Sequence, residues 1–218
     1  NGSGTSYTFS TVALGTAASD RSIVVAVGHT RGVAVTTYIT AMTIGGVSAT
    51  KIADHQVASG GYAQEMWWAD VPSGTTGDVV VTVNSTVIYM AIAVDAIYGD
   101  NILYAVGLDT TANNTNDVTV TIGVLAGGVA IASAKGLSGS NTWTWTGVTE
   151  EYDFTADSAY GISGGSKTYS AAEEVTISAA KSTSCAAGQI VAVFAPTQTY
   201  GTNGIFLDFA DSSDFGND

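Results

Sequence analysis

Few residues in this chain have the types and spacing for covalent chemistry. Gly161, Ile162, Ser163, Gly164 and Gly165 match the pattern G-x-S-x-G. In hydrolases that pattern is a tight strand-to-helix turn exposing the serine hydroxyl, and it needs a histidine and an acid in place. Here Ser166, Lys167 and Thr168 follow and start no helix, so the stretch reads as a Gly/Ser-rich loop. His29 and His55 are the only histidines, and neither has metal-ligand spacing. They read as surface or strand-end residues. Cys185 is the single cysteine, so no disulfide forms within the chain, and it reads as a small buried hydrophobe.

Paired acids occur at Glu150 and Glu151 and at Glu173 and Glu174. Neighbours on a strand point to opposite faces, so neither pair is a ready acid/base dyad. Oxygen-rich groups suited to Ca²⁺ occur at Asp109, Asn113, Asn114, Asn116 and Asp117, and again at Asp208, Asp211, Asp214 and Asp218. Neither follows the D-x-[DN]-x-[DN]-G loop, so solvated turns are expected, with no cofactor. Aromatic rings are the remaining candidates, since exposed rings stack on sugars. In TWTWT, residues 142–146, Trp143 and Trp145 share one sheet face. Trp67 and Trp68 must face oppositely, one in the core and one on the outer face or at a subunit contact. The candidate binding residues are therefore Trp68, Trp143 and Trp145, weighed against core packing, the usual place of tryptophan in a sandwich.

These residues sit on short strands. QEMWWADVPSGTTGDVVVTVN, residues 64–84, reads as strand, connection, strand, broken at Pro72, Gly74 and Gly77. SIVVAVG at 22–28, VIYMAIAVDAIY at 87–98 and QIVAVF at 189–194 are dense apolar runs of the buried-strand kind. MTIGGVSATKI, 42–52, places a Gly-Gly turn between two strands. Residues 100–117 read as a polar loop. No helical period with caps is found outside the tail. The expected fold is all-β, an antiparallel β-sandwich of jelly-roll or Ig-like type.

Composition narrows the function classes. Of the 218 residues only 11% are charged, and the net charge is −13. A surface of Thr, Ser, Asn and Gly with that sign repels phosphate backbones, so no nucleic-acid contact is expected. No run of apolar residues is long enough for a transmembrane helix, so no membrane contact is expected either. The chain opens on Asn1 with no visible signal peptide, which reads as an excerpt or a processed product.

A weak internal echo recurs at a spacing of roughly a hundred residues. GVAIASAKG at 128 parallels VVAVG near Val24, TWTGVTEEYD at 144 parallels MTIGGVSATKIAD at 42, and QIVAVFAP at 189 parallels MAIAVDAIYG at 90. Two tandem Ig-sized units or one sandwich with similar halves would give this echo. With no linker in the middle, one large domain at 7–197 is preferred, between a flexible linker at 1–6 and an extension at 198–218.

In their order, DRSIVVAVG, MTIGGVSATKIAD, QEMWWADVPSGTTGDVVVTVN, YMAIAVDAIYG, DVTVTIGVLAGGVAIASA, TWTGVTEEYD and QIVAVFAP resemble a β-sandwich domain of bacterial surface proteins and phage structural proteins. The tail NGIFLDFADSSDFGND, 203–218, resembles segments of marine phage tail and virion proteins. The resemblance supplies no catalytic residues. It implies a non-enzymatic virion structural protein on the particle surface, as capsid decoration or as a tail or fibre component. Its partners would be other virion subunits in a homo-oligomer. Ile205, Phe206, Leu207, Phe209 and Phe215 would form an interaction tail. The second expectation is an adhesin module that binds host-surface glycans.

Overall fold

A computed structural model describes residues 5–30, 38–58, 62–99, 101–114, 117–137, 142–157 and 160–196. The interaction tail at Ile205, Phe206, Leu207, Phe209 and Phe215 and the acids beyond Pro196 lie outside them. The first half of the chain forms β1 (Ser6–Ala13), β2 (Arg21–Thr30), β3 (Ile39–Ile44), β4 (Val47–Ser48), β5 (Thr50–Ala58), β6 (Tyr62–Asp70), β7 (Thr76–Val83) and β8 (Tyr89–Tyr98). The second half forms β9 (Asn101–Asn114), β10 (Val118–Val124), β11 (Val129–Gly136), β12 (Trp143–Thr146), β13 (Thr149–Asp157), β14 (Tyr160–Thr168), β15 (Glu173–Lys181) and β16 (Cys185–Pro196). The described residues contain no helix, and every pairing is antiparallel. The all-β sandwich class expected from the apolar runs is what forms.

The strands make four sheets: β1-β7-β3-β4, β5-β6-β2-β8, β13-β14-β11-β16-β9 and β10-β15-β12. Three hydrophobic clusters set their stacking order. Ile23, Val25 and Val27 of β2 pack with Trp67, Ile44, Val79 and Val81 between the first two sheets. Ala130, Ala132 and Ala134 of β11 pack with Trp143, Trp145, Val120 and Ile177 between the last two. Val24, Ala26, Met66 and Ile97 meet Ile131, Ile190, Ala192 and Phe194 between the two inner sheets. The molecule is thus two small sandwiches joined through a third core. This explains why β2 reads as an unbroken apolar run and is buried at all ten positions. A strand covered on both faces has no polar side to alternate with. Each fully buried Val or Ile in these cores stabilises by roughly 1.5–3 kcal/mol relative to exposure.

The internal echo has a structural counterpart. Each inner sheet carries the same four strands in the same order, β5-β6-β2-β8 and β13-β14-β11-β16. The register of β5 shifts between Lys51 and Ala53 and again between Gln56 and Ala58. The register of β13 shifts at the matching places, between Glu150 and Tyr152 and between Thr155 and Asp157. Bulges re-aim side chains, so the two inner sheets present their first strands in the same way.

Two stretches read as loops are strands. Residues 101–114 are β9, paired along its length with β16. Its Asn and Asp content hid the alternation of Ile102, Tyr104, Val106 and Leu108. The Gly/Ser-rich stretch is β14, the partner of β11 and β13. There the missing side chains are a packing requirement: a Cβ on Gly165 would lie 2.0 Å from the Thr149 carbonyl oxygen.

Candidate functional site

Ser163 is fully buried on β14 and exposes no hydroxyl. Its Oγ accepts the Trp145 indole N–H at 2.8 Å and donates to the Tyr152 carbonyl at 2.9 Å. Neither histidine is within this hydrogen-bonded set, so the G-x-S-x-G match anchors a tryptophan.

Trp143 and Trp145 do share one face, and that face is the inside of the second sandwich, where they are 4% and 8% exposed. Neither ring is available to stack on a sugar. Trp67 and Trp68 point oppositely, as strand geometry requires. Trp67 enters the first sandwich core, and Trp68 packs toward the inter-sandwich core against Phe194, ring centroids 5.5 Å apart. The Trp68 expected on an outer face therefore seals an internal joint. Alternation alone could not tell solvent from a third sheet.

The histidines are internal as well. His29 is fully buried, and its Nε2 lies 3.3 Å from Glu65 Oε1. Glu65 also accepts from the Ile39 amide at 2.6 Å, the Trp67 indole at 3.1 Å and Lys51 Nζ at 3.0 Å. This carboxylate is a fully satisfied structural knot, the safe way to bury a charge. Burial lowers the pKa of both His29 and His55, so each favours its neutral form. His55 Nε2 lies 3.0 Å from Gln64 Oε1, and Gln64 Nε2 donates to Ser133 Oγ at 2.9 Å across the joint between the sandwiches. Lys135 is buried beside this seam. It donates to the His29 carbonyl, to Thr30 Oγ1 at 3.0 Å and to the Ala63 carbonyl at 3.3 Å. Burial brings its pKa down to about 7.

One open cleft brings acids together. It holds about 460 Å³ between β8 on one side and β11, β13 and β14 on the other. Asp95 and Glu151 both line it, with Asn101, Ser166 and Thr168. Glu151 accepts from Ser166 Oγ at 2.5 Å. Glu151 is the acid whose charge and hydrogen bonding act on Asp95. Burial first, then Glu151, pushes the Asp95 carboxyl up to about 8. No Lys, Arg or His is among the lining residues. A carboxyl pair can do general acid/base work, and the other polar groups lining the cleft are the neutral side chains of Asn101, Ser166 and Thr168. Sequence spacing could not pair residues 56 positions apart. The signal present was a lone Asp inside an apolar strand.

Among the described residues no group of three or more His, Cys, Asp or Glu is placed to hold a metal ion. Asp109, a candidate Ca²⁺ ligand, instead accepts the Thr119 amide at 2.7 Å across the β9–β10 connection. Cys185 is half-buried on β16.

The remaining feature is a surface. β9 is an edge strand, and on it Ile102, Tyr104, Val106 and Leu108 are 54%, 49%, 39% and 49% exposed. The register shift opposite Val193 and Phe194 makes Tyr104 the extra residue, so Val106 and Leu108 share the face of Ile190 and Ala192. No known protein family, curated protein or solved structure matches the chain.

Proposed function

We propose that this chain is a non-enzymatic structural protein of a phage particle, displayed on its surface as capsid decoration or as a tail or fibre component, and that it works through subunit contacts. The observation that carries the contact is the exposed apolar pair Val106 and Leu108 on one face of the edge strand β9, with Ile102 exposed on the other. The occupant we assign to it is a second copy of the same chain. With a net charge of −13, two copies repel wherever their acids face each other. Residues 101–108, NILYAVGL, contain no charge at all. An uncharged edge strand with apolar side chains is the surface on which like-charged copies can meet.

Light scattering on the purified chain tests this contact. A dimer or higher oligomer is expected, reduced to monomer by the pair Val106→Asp and Leu108→Asp. A wild-type chain that stays monomeric at high concentration overturns it. The particle assignment is tested separately by mass spectrometry of purified virions from a source that encodes the chain, and its absence there overturns that part.

A further inference from the structure

We infer that the edge of β8 is the surface that receives β9 of a neighbouring copy, so that copies of this chain join head to tail through one continuous sheet. The inference rests on the copy-to-copy contact proposed above and names its other half.

The two inner sheets match strand for strand, and they differ at one edge. β16, the last of the four matching strands in its sheet, is covered by β9 and is buried at every position from Ala186 to Ala195. Its counterpart β8 pairs among the described residues only with β2. Met90, Ile92, Val94 and Ala96 of β8 pack on the first sandwich core but stay only half-buried. An edge strand with an apolar row beside its outward N–H and C=O groups recruits another strand.

Charge selects that strand. The inner sheets end on β5, β8, β13 and β9. β5 carries Lys51 and Asp54, and β13 carries Glu150, Glu151, Asp153 and Asp157. Residues 89–94 of β8 and 101–108 of β9 carry no charge. Between copies of net charge −13, these two stretches meet with the least repulsion.

The faces match as well. Beside β16, Val106 and Leu108 share the face of Ile190 and Ala192, which looks into the joint between the sandwiches. Added antiparallel to β8 through its other edge, β9 is turned over relative to that joint. Val106 and Leu108 then lie on the face of Met90, Ile92 and Val94, and the two apolar sets cover each other. Two copies cannot close this contact reciprocally. β9 runs on the flank beside β5, and β8 lies on the opposite flank beside β13. A heterologous contact of this kind leaves β8 free at one end and β9 free at the other, so it grows into a ring or a fibre.

Disulfide trapping between separate chains tests the inference, in a Cys185→Ser background. One chain carries Val106→Cys, and the other carries Met90→Cys, Ile92→Cys or Val94→Cys. These three positions follow one another along one face, so at least one is expected to cross-link to Val106→Cys on mixing. Val106→Cys by itself is expected to give no dimer. Light scattering on the wild-type chain, which no substitution can unfold, is expected to give masses above two copies. A disulfide between two Val106→Cys chains, or a wild-type oligomer that stops at two copies, sets β9 against β9. Either result overturns this inference and leaves the contact on β9 standing. No cross-link at any of the three positions, in chains that still oligomerise, overturns it too. A wild-type chain that stays monomeric overturns both.

Discussion

Tyr62 and Tyr160 occupy matching positions in the two halves of the chain and stack on each other, ring centroids 5.3 Å apart. Each opens the second strand of its inner sheet, β6 and β14. A residue that meets its own counterpart lies on the axis relating the two sandwiches, as at an isologous dimer interface. Tyr89 packs on the same Tyr160 ring, also at 5.3 Å. A double-mutant cycle of Tyr62→Leu and Tyr160→Leu is expected to give a coupling energy of about 1 kcal/mol in urea unfolding. Additive effects would show that the rings are merely adjacent.

Asp95 makes stability fall as pH rises. Its carboxyl is held up near pH 8, well above its unfolded value, chiefly by burial. Between about pH 4 and 8 the unfolded chain releases this proton and the folded chain keeps it. The folded state is therefore favoured at the acid end of that window and loses the advantage towards pH 8. Asp95→Asn removes the step. Unfolding at pH 5 and pH 8.5 should show the variant gaining on the wild type with pH, at up to about 1.4 kcal/mol per unit. A constant difference would refute the raised carboxyl.

Lys135 has the opposite sign. Burial lowers its pKa to about 7, below the unfolded value. From about pH 7 to 10 the unfolded chain holds a proton that the folded chain has shed, so stability rises with pH there. Lys135→Met is expected to flatten that rise. Urea midpoints at pH 7, 8.5 and 10 check it, and parallel profiles for the two chains would place the amine in solvent.

Ser163→Ala leaves the Trp145 indole N–H without its acceptor inside a dry core. A loss of about 1–3 kcal/mol is expected, with a shift in tryptophan emission. Gly188→Ala acts at the joint between the halves. A Cβ there would lie 2.1 Å from His55 Cε1 and would force the ring off Gln64. A similar loss is expected, and an unperturbed midpoint for either change would mean the packing is looser than described.

The fold class was legible because unbroken runs such as those of β2 and β16 have one inexpensive solution, a strand buried on both faces. What was not legible was what covered each face. The alternation of Trp143 and Trp145 correctly put them on one side, but only packing assigns that side to a core. The glycines of β14 looked like a loop because their reason for being there is the Thr149 backbone and the Tyr152 ring pressing from the neighbouring strand. β9 was missed because Asn and Asp at its far end outweighed the apolar alternation before them. The Asp95–Glu151 cleft joins strands from different halves, and no local pattern encodes such a meeting.

The third core also sets a schedule for synthesis. When Tyr98 has left the ribosome, strands β1 to β8 are out, yet Val24, Ala26, Met66 and Ile97 still lack their cover. That cover includes Ile190, Ala192 and Phe194 near the end of β16. At ribosomal speeds of about 5–20 residues per second, the hundred or so intervening residues take roughly 5–20 seconds to appear. Through that interval every nascent copy on a polysome presents the same sticky face to its neighbours, and the correct partner for each is the unfinished remainder of its own chain.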